Sequence, residues 1–253
     1  MSGNATAPGA SVSSRLLAVL GAFDEGARQL SLTELSRRSG LPLSTTHRLL
    51  GELVEWGALR RADDGRYVLG RRMWEIGLLA PIQVEVREIA SPFLSDVFAA
   101  TQATVHLAVR EGTKALYVER LSGHRSVPVV SSVGSRLPLH ATGVGKVLLA
   151  HAPERVQLEA LADLTRETPY TIVAPGTLRQ QLVQVRERGY ARTDEEMSLG
   201  ACSVAVPVLD DSGSVAAAVG IVVPSLRRDA PRLVAALTTA SAGITRQWRA
   251  LVR

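Results

Sequence analysis

The chain has one cysteine, Cys202. That excludes a framework of intrachain disulfides and fits a reducing cytoplasm. His47, His106, His124, His140 and His151 include no pair at metal-ligand spacing, and no second cysteine completes a zinc site. No metal and no cofactor is therefore expected. Long apolar runs are missing too. The longest, 215–223, falls far short of the roughly 20 residues of a membrane span, so no membrane partner is expected. The opening MSGNATAPGA lacks the basic start and aliphatic run of a secretory signal, and residues 1–10 read as a disordered tail. Lysine stands only at Lys114 and Lys146, which leaves arginine to carry the positive charge.

Catalytic signatures are equally scarce. There is no G-x-S-x-G nucleophile elbow. The stretch ATGVGK (141–146) resembles a phosphate loop only in part, because Walker A needs glycine at His140 and Ser or Thr at Val147. A dinucleotide loop would need a third glycine where Leu148 stands. Two readings of this glycine-rich helix start stay open: free backbone N–H groups that hold a carboxylate on the helix dipole, or plain capping with close packing. Cys202 has no basic neighbour in sequence, which suits a small apolar structural role. Asp194, Glu195 and Glu196 read as a solvated turn or helix start.

What is present is a globular chain: 253 residues, 46% of them hydrophobic, enough for one large or two ordinary domains. Net charge is +5. Residues 33–72 hold eight arginines against five acids, a modest basic patch compatible with nucleic acid.

The densest pattern is SLTELSRRSGLPLSTTHRLLGELVEW (31–56). Ser31 and Glu34 form a capping box that opens a short helix. Gly40 ends it in a left-handed conformation and Pro42 blocks its continuation. Ser44 then caps a second helix. At about 100° per residue, Thr46, Leu49, Leu50, Leu53 and Trp56 share one side, with Ser44, His47, Arg48, Gly51 and Glu55 opposite. Two short helices across a tight turn match the helix-turn-helix plan, in which the N-terminal residues of the second helix meet base edges. Ser44, Thr45, Thr46, His47 and Arg48 have suitable chemistry, Arg48 for guanine or phosphate and the hydroxyls for phosphates or thymine methyls. An ordinary helical hairpin in a core is the alternative.

A first helix precedes this pair, with Val12, Leu16, Val19, Leu20 and Phe23 at helical spacing and Gly26 as its end. After Trp56, strands 59–61 and 67–69 flank the turn signal Asp63-Asp64-Gly65. Three helices and a hairpin make a winged helix-turn-helix over residues 11–69. Arg61 and Arg66, with Arg60, lie on the wing, in reach of phosphates or the minor groove. Residues 70–80 read as a linker helix closed by Pro81, and the domain boundary falls near residue 80. A longer helix follows to Thr101, with Ile82, Val86, Ile89, Phe93 and Val97 inward.

Beyond it, 104–110 and 115–120 read as a hairpin and 127–133 as a third strand. Helices are expected at 142–151, 153–164 and 177–188, the last stopped at Gly189. A second hairpin covers 203–209 and 215–223, and an amphipathic helix runs from Pro231 to the end. Residues 81–253 thus form an α+β, mixed-sheet unit with helices packed on it.

Three further blocks carry a resemblance: GSRLPLHATGVGKVLLA (134–150), RGYARTDEEMSLGACSVAVPV (188–208) and AAAVGIVVP (216–224). Together with LTELSRRSGLPLSTTHRLLGELVEWG and the wing ending RYVLG, they resemble the IclR family of bacterial transcriptional regulators from about Val12 to Trp248. The resemblance implies a GAF-like effector-binding domain behind the DNA-binding domain. It also implies a homodimer or homotetramer, a double-stranded operator, and a small-molecule effector that alters operator binding.

Members that bind small oxo-acids imply contacts at a Gly-Ala pair, a cysteine, an aspartate and two serines. Here those positions are Gly143 and Val144, then Ser203 with Cys202 one place off, Thr193 with Asp194 adjacent, and Gly220 and Val222. Val129, in the apolar segment 127–133, joins this set. Apolar groups replace polar ones, and a buried carboxylate without donors is unfavourable, so a larger or aromatic acid is expected. Two alternatives stand: an enzyme using the pocket around Cys202 and Ser203, and a protein-interaction module without DNA binding.

Overall fold

The computed structural model describes residues 11–24, 26–78, 84–123, 126–227 and 229–251. The 1–10 tail, the end of the linker helix at 79–80, Pro81, Ile82 and His124 lie outside them. The chain divides into two compact units, Met1–Ile82 and Gln83–Arg253.

In the first unit, α1 (Val12–Leu20) starts at Ser11, whose hydroxyl accepts from Ser14 N, and stops at Gly21. The end expected at Gly26 is wrong. Ala22 and Phe23 already donate to carbonyls three residues back, which tightens and closes the helix. Strand β1 (Gln29–Leu30) leads into α2 (Leu32–Ser39). The Ser31–Glu34 capping box is complete, and Gly40 takes φ 69° behind α2.

Helix α3 (Leu43–Glu55) begins two residues earlier than expected. Pro42, not Ser44, stands at the N-cap; its carbonyl accepts from Thr46 N at 2.9 Å and from Thr46 Oγ1 at 3.0 Å. Strands β2 (Leu59–Arg61) and β3 (Tyr67–Leu69) close the wing in the order β1-β3-β2, with Gly65 at φ 81° in the turn. Helix α4 (Arg71–Leu78) follows. Val19, Leu35, Leu49, Leu50, Leu53 and Leu59 form the core. Trp56, expected on that inner stripe, is 45% exposed, because the helix has ended by Trp56. Its ring lies under the Arg72 guanidinium, 4.4 Å from the centroid, a cation–π contact.

The second unit is a six-stranded sheet between two sets of helices. Helix α5 (Val84–Thr101) precedes the hairpin β4 (Thr104–Glu111) and β5 (Lys114–Leu121). Then come β6 (Arg136–Pro138), α6 (Gly143–Ala150), α7 (Glu154–Ala162) and α8 (Pro175–Arg188). Strands β7 (Ala191–Asp194), β8 (Cys202–Leu209) and β9 (Val215–Val223) precede α9 (Ala230–Leu251). The order is β6-β5-β4-β9-β8-β7, and each described pairing is antiparallel, so the mixture lies in helix and sheet rather than in strand direction.

The expected strand at 127–133 is absent. Short β6 pairs with β5 instead, and the apolar 127–133 run, broken by Pro128, covers a cavity rather than joining the ladder.

Alternation along the strands divides this unit into two cores. Val105, Leu107, Val204, Val206, Val219 and Ile221 pack with α5 and α9. Ala108, Ala205 and Ala218 face the other way, toward α6, α7 and α8. Small residues on that face let α6 lie close to the sheet.

Candidate functional site

Helix α3 presents its N-terminal turn to solvent. Ser44, His47 and Arg48 are exposed and Thr45 is half-buried. Thr46 is a correction: it is fully buried and its hydroxyl is held by Pro42, so it cannot touch DNA. The same helical angle that placed it on the aliphatic stripe excludes it from the outer face. The earlier helix start adds Leu43, 50% exposed, which the reading from Ser44 missed.

Arg48 Nη1 is 2.6 Å from Glu52 Oε1, one turn on. Exposed pairs of this kind contribute only about 0.3–0.5 kcal/mol, so a phosphate or guanine can replace the partner. On the wing, Arg61 Nε donates to Gly65 O at 3.3 Å and Arg66 lies 3.8 Å from Asp64. Both guanidinium groups remain exposed.

The second unit has a half-open cavity on the α6 face of the sheet, about 360 Å³ when the adjoining open solvent is included. Register explains which side chains reach it. Thr104, Val222, Ser203 and Thr193 form one row across four strands. Val222, Ser203 and Thr193 line the cavity, with Val129 from the 127–133 segment. Ser203 Oγ and Thr193 Oγ1 are hydrogen-bonded at 2.6 Å.

Asp194 and Cys202 are corrections. Each sits one residue along its strand, so each faces the opposite side, into a separate groove with Arg192, Ser225 and Arg227. The Cys202 thiol donates to Asp194 Oδ1 at 2.9 Å. Burial, then the hydrogen bond and charge of Asp194, push it up to about 11, which keeps it a protonated, unreactive thiol at neutral pH.

Gly143, Val144 and Gly220 do not line the cavity either; they pack helix on sheet. A Cβ on Gly143 would lie 2.5 Å from Ser203 Oγ, and one on Gly220 would lie 2.8 Å from Val144 Cγ1. Val144 thus occupies the space that a side chain at 220 would need. Thr142 caps α6, its hydroxyl accepting from Gly145 N at 3.1 Å. Capping with close packing is the reading that fits.

Sequence reasoning missed His106, Tyr117, Ser131 and Thr142, which supply most of the remaining polar lining. A histidine inside the apolar run TVHLAV was the available signal. His106 Nε2 is 2.8 Å from Ser131 Oγ, and its ring meets Tyr117 edge-to-face at 5.0 Å. Burial, helped by the Arg120 charge, pulls His106 down to about 3, so its imidazole is neutral at pH 7. Burial likewise raises the Tyr117 phenol, the Thr142 hydroxyl opposing it. The cavity therefore offers neutral hydroxyls and an imidazole among apolar walls.

Glu196, expected in a solvated turn, is buried and ion-paired to Lys146, with Nζ 2.6 Å from Oε1 and 2.7 Å from Oε2. Burial lowers the Lys146 ammonium and raises the Glu196 carboxyl; their mutual contact opposes both.

Known proteins share this arrangement. Residues 13–63 match the IclR helix-turn-helix domain, and residues 81–246 match the C-terminal domain of the bacterial transcriptional regulator IclR. The Escherichia coli K12 regulator XynR is 36% identical over 211 residues, covering 82% of this chain and 83% of its own length. The repressor AllR of the same strain is 33% identical over 229 residues, 89% of this chain and 84% of its own. An IclR homolog from Microbacterium hydrocarbonoxydans, crystallised with 4-hydroxybenzoate, superposes with a TM-score of 0.90. It is 35% identical and is covered over 95% of this chain and 100% of its own. XynR and AllR are named as a transcriptional regulator and a transcriptional repressor, which does not support the enzyme alternative around Cys202 and Ser203.

Proposed function

The chain belongs to the IclR family of bacterial transcriptional regulators, and from that premise we propose how its two units divide the work. Residues 11–69 read a double-stranded operator. Ser44, Thr45, His47 and Arg48 enter the major groove, while Arg61 and Arg66 on the wing hold phosphates. Residues 81–253 bind an aromatic acid in the cavity beside Thr193 and Ser203, and the linker helix 70–80 passes the change on. The protein acts in the cytoplasm as a homodimer or homotetramer, whose paired recognition helices meet successive half-sites. Exposed Leu17 on α1 and Trp74 and Ile76 on α4 are apolar surface that a second copy would cover. The effector works only through its difference in affinity between two arrangements of subunits.

The observation that carries the effector reading is the cavity's neutral polar groups among apolar walls, and the 4-hydroxybenzoate crystallised with the Microbacterium relative supports it. Calorimetry is expected to show heat on addition of 4-hydroxybenzoate and little with glyoxylate or pyruvate. Tight binding of either small oxo-acid, with no response to aromatic acids, defeats this assignment. For the DNA unit, Arg48→Ala is expected to weaken operator binding by about 1–3 kcal/mol, roughly 5- to 150-fold. Unchanged affinity in a gel-shift series removes Arg48 from the contact set.

A further inference from the structure

We propose that Lys146, Glu196 and Gln181 form a buried clamp that holds the 195–201 loop against the effector cavity, setting effector affinity without touching the effector. The proposal deepens the effector reading above and rests on it.

Lys146 is 1% exposed and Glu196 5%. An ammonium has three N–H donors, and here each has an acceptor: Glu196 Oε1 at 2.6 Å, Glu196 Oε2 at 2.7 Å and Gln181 Oε1 at 2.7 Å. With all three donors engaged, the geometry at Nζ is fixed. Such a pair is a poor device for stability alone, since well-packed apolar residues in its place are often neutral or better. What it can add is position.

Two arms of the clamp reach walls of the cavity. Lys146 lies one turn after Thr142, whose carbonyl accepts from Lys146 N at 2.8 Å, and Ala141 and Thr142 line the cavity. Glu196 is followed directly by Met197 and Ser198, which line it from the loop together with Ala201. Gln181 ties in α8.

The loop is closed on itself. Glu195 N donates to Ala201 O at 3.1 Å, Gly200 N donates to Glu195 Oε2 at 2.7 Å, and Glu195 itself sits at φ 53°. Thr168 and Thr171 hydroxyls donate to the Glu195 and Glu196 carbonyls, each at 2.7 Å. These bonds tie the loop into one unit, and the Glu196 carboxylate adds the anchor that joins it to α6 and α8, so the clamp acts on all three of the loop residues that line the cavity.

The test uses full-length protein and two readouts: hydrogen exchange of the 195–201 amides without ligand, and calorimetry with 4-hydroxybenzoate. Glu196→Gln and Lys146→Met are expected to speed loop exchange by about tenfold or more while β4 and β9 stay protected. Since a single variant leaves a buried group unpaired and can fail to fold, the double variant Lys146→Met/Glu196→Leu is the deciding one. It is expected to keep the wild-type melting temperature, yet lose about tenfold or more in affinity for 4-hydroxybenzoate and show the fast loop exchange. Wild-type loop exchange in the double variant, or effector affinity within about twofold of wild type, overturns the clamp. Should the wild type itself ignore 4-hydroxybenzoate, the aromatic-acid assignment falls, and loop exchange alone decides the clamp.

Discussion

Operator affinity is expected to fall by about 10³- to 10⁵-fold when salt rises from about 50 to about 200 mM, as for a protein holding about 6–10 phosphates. The basis is the arginine-rich first unit. Arg48, Arg60, Arg61 and Arg66 are exposed on α3 and the wing, and the second copy proposed above would double that set. Each neutralised phosphate releases a counterion, so log affinity falls linearly with log salt. Arg61→Ala, which removes a proposed phosphate contact, should lower the slope by about 1 and weaken all sequences alike. Arg48→Ala should relax sequence preference instead. A flat salt profile in a fluorescence-anisotropy titration leaves the wing without a role on phosphates.

Gly145→Ala is expected to destabilise the second unit by more than about 3 kcal/mol. A Cβ at 145 would lie 2.7 Å from Leu139 Cα, and nearer still to the Leu139 carbonyl oxygen and the Thr142 hydroxyl. Overpacking against yielding side chains costs about 1–3 kcal/mol; here two of the three neighbours are backbone. The third is the Thr142 cap of α6, whose loss costs about 1 kcal/mol more. Gly176→Ala in α8 meets open space and should be neutral or gain up to about 1 kcal/mol. Urea midpoints followed by circular dichroism separate the two. An unchanged midpoint for Gly145→Ala removes close packing as the reason for glycine there and returns the ligand-cradle reading.

The N-terminal unit was largely legible because its signals are local. The Ser31–Glu34 box, Gly40 behind α2, the leucine stripe of α3 and the Asp-Asp-Gly turn each act within a few residues. Where local rules compete, the reading slipped: Pro42 displaced Ser44 from the cap, and α1 closed at Gly21 rather than Gly26. Two-residue β1 is too short to show any period.

The effector side was harder, since its geometry is set between distant segments. Thr193, Ser203 and Val222 reach the cavity, while Asp194 and Cys202, one step away, do not. Strand parity decides that, and parity requires a register which the sequence does not display. Lys146 and Glu196 stand 50 positions apart, so Glu196 in isolation resembled any solvated acid.

Strands β8 and β9 are a partition one side chain thick. Val222 and Ser203 line the cavity; Ile221 and Val204, their chain neighbours, lie in the core on the other face, which α9 covers. A molecule that pushes on the first pair cannot leave the second pair where it was. Helix α9, which backs that partition, packs in turn on α5, the first described element after residue 82, so the wall beside the proposed effector reaches by one intermediary the helix that follows the DNA-reading unit in sequence.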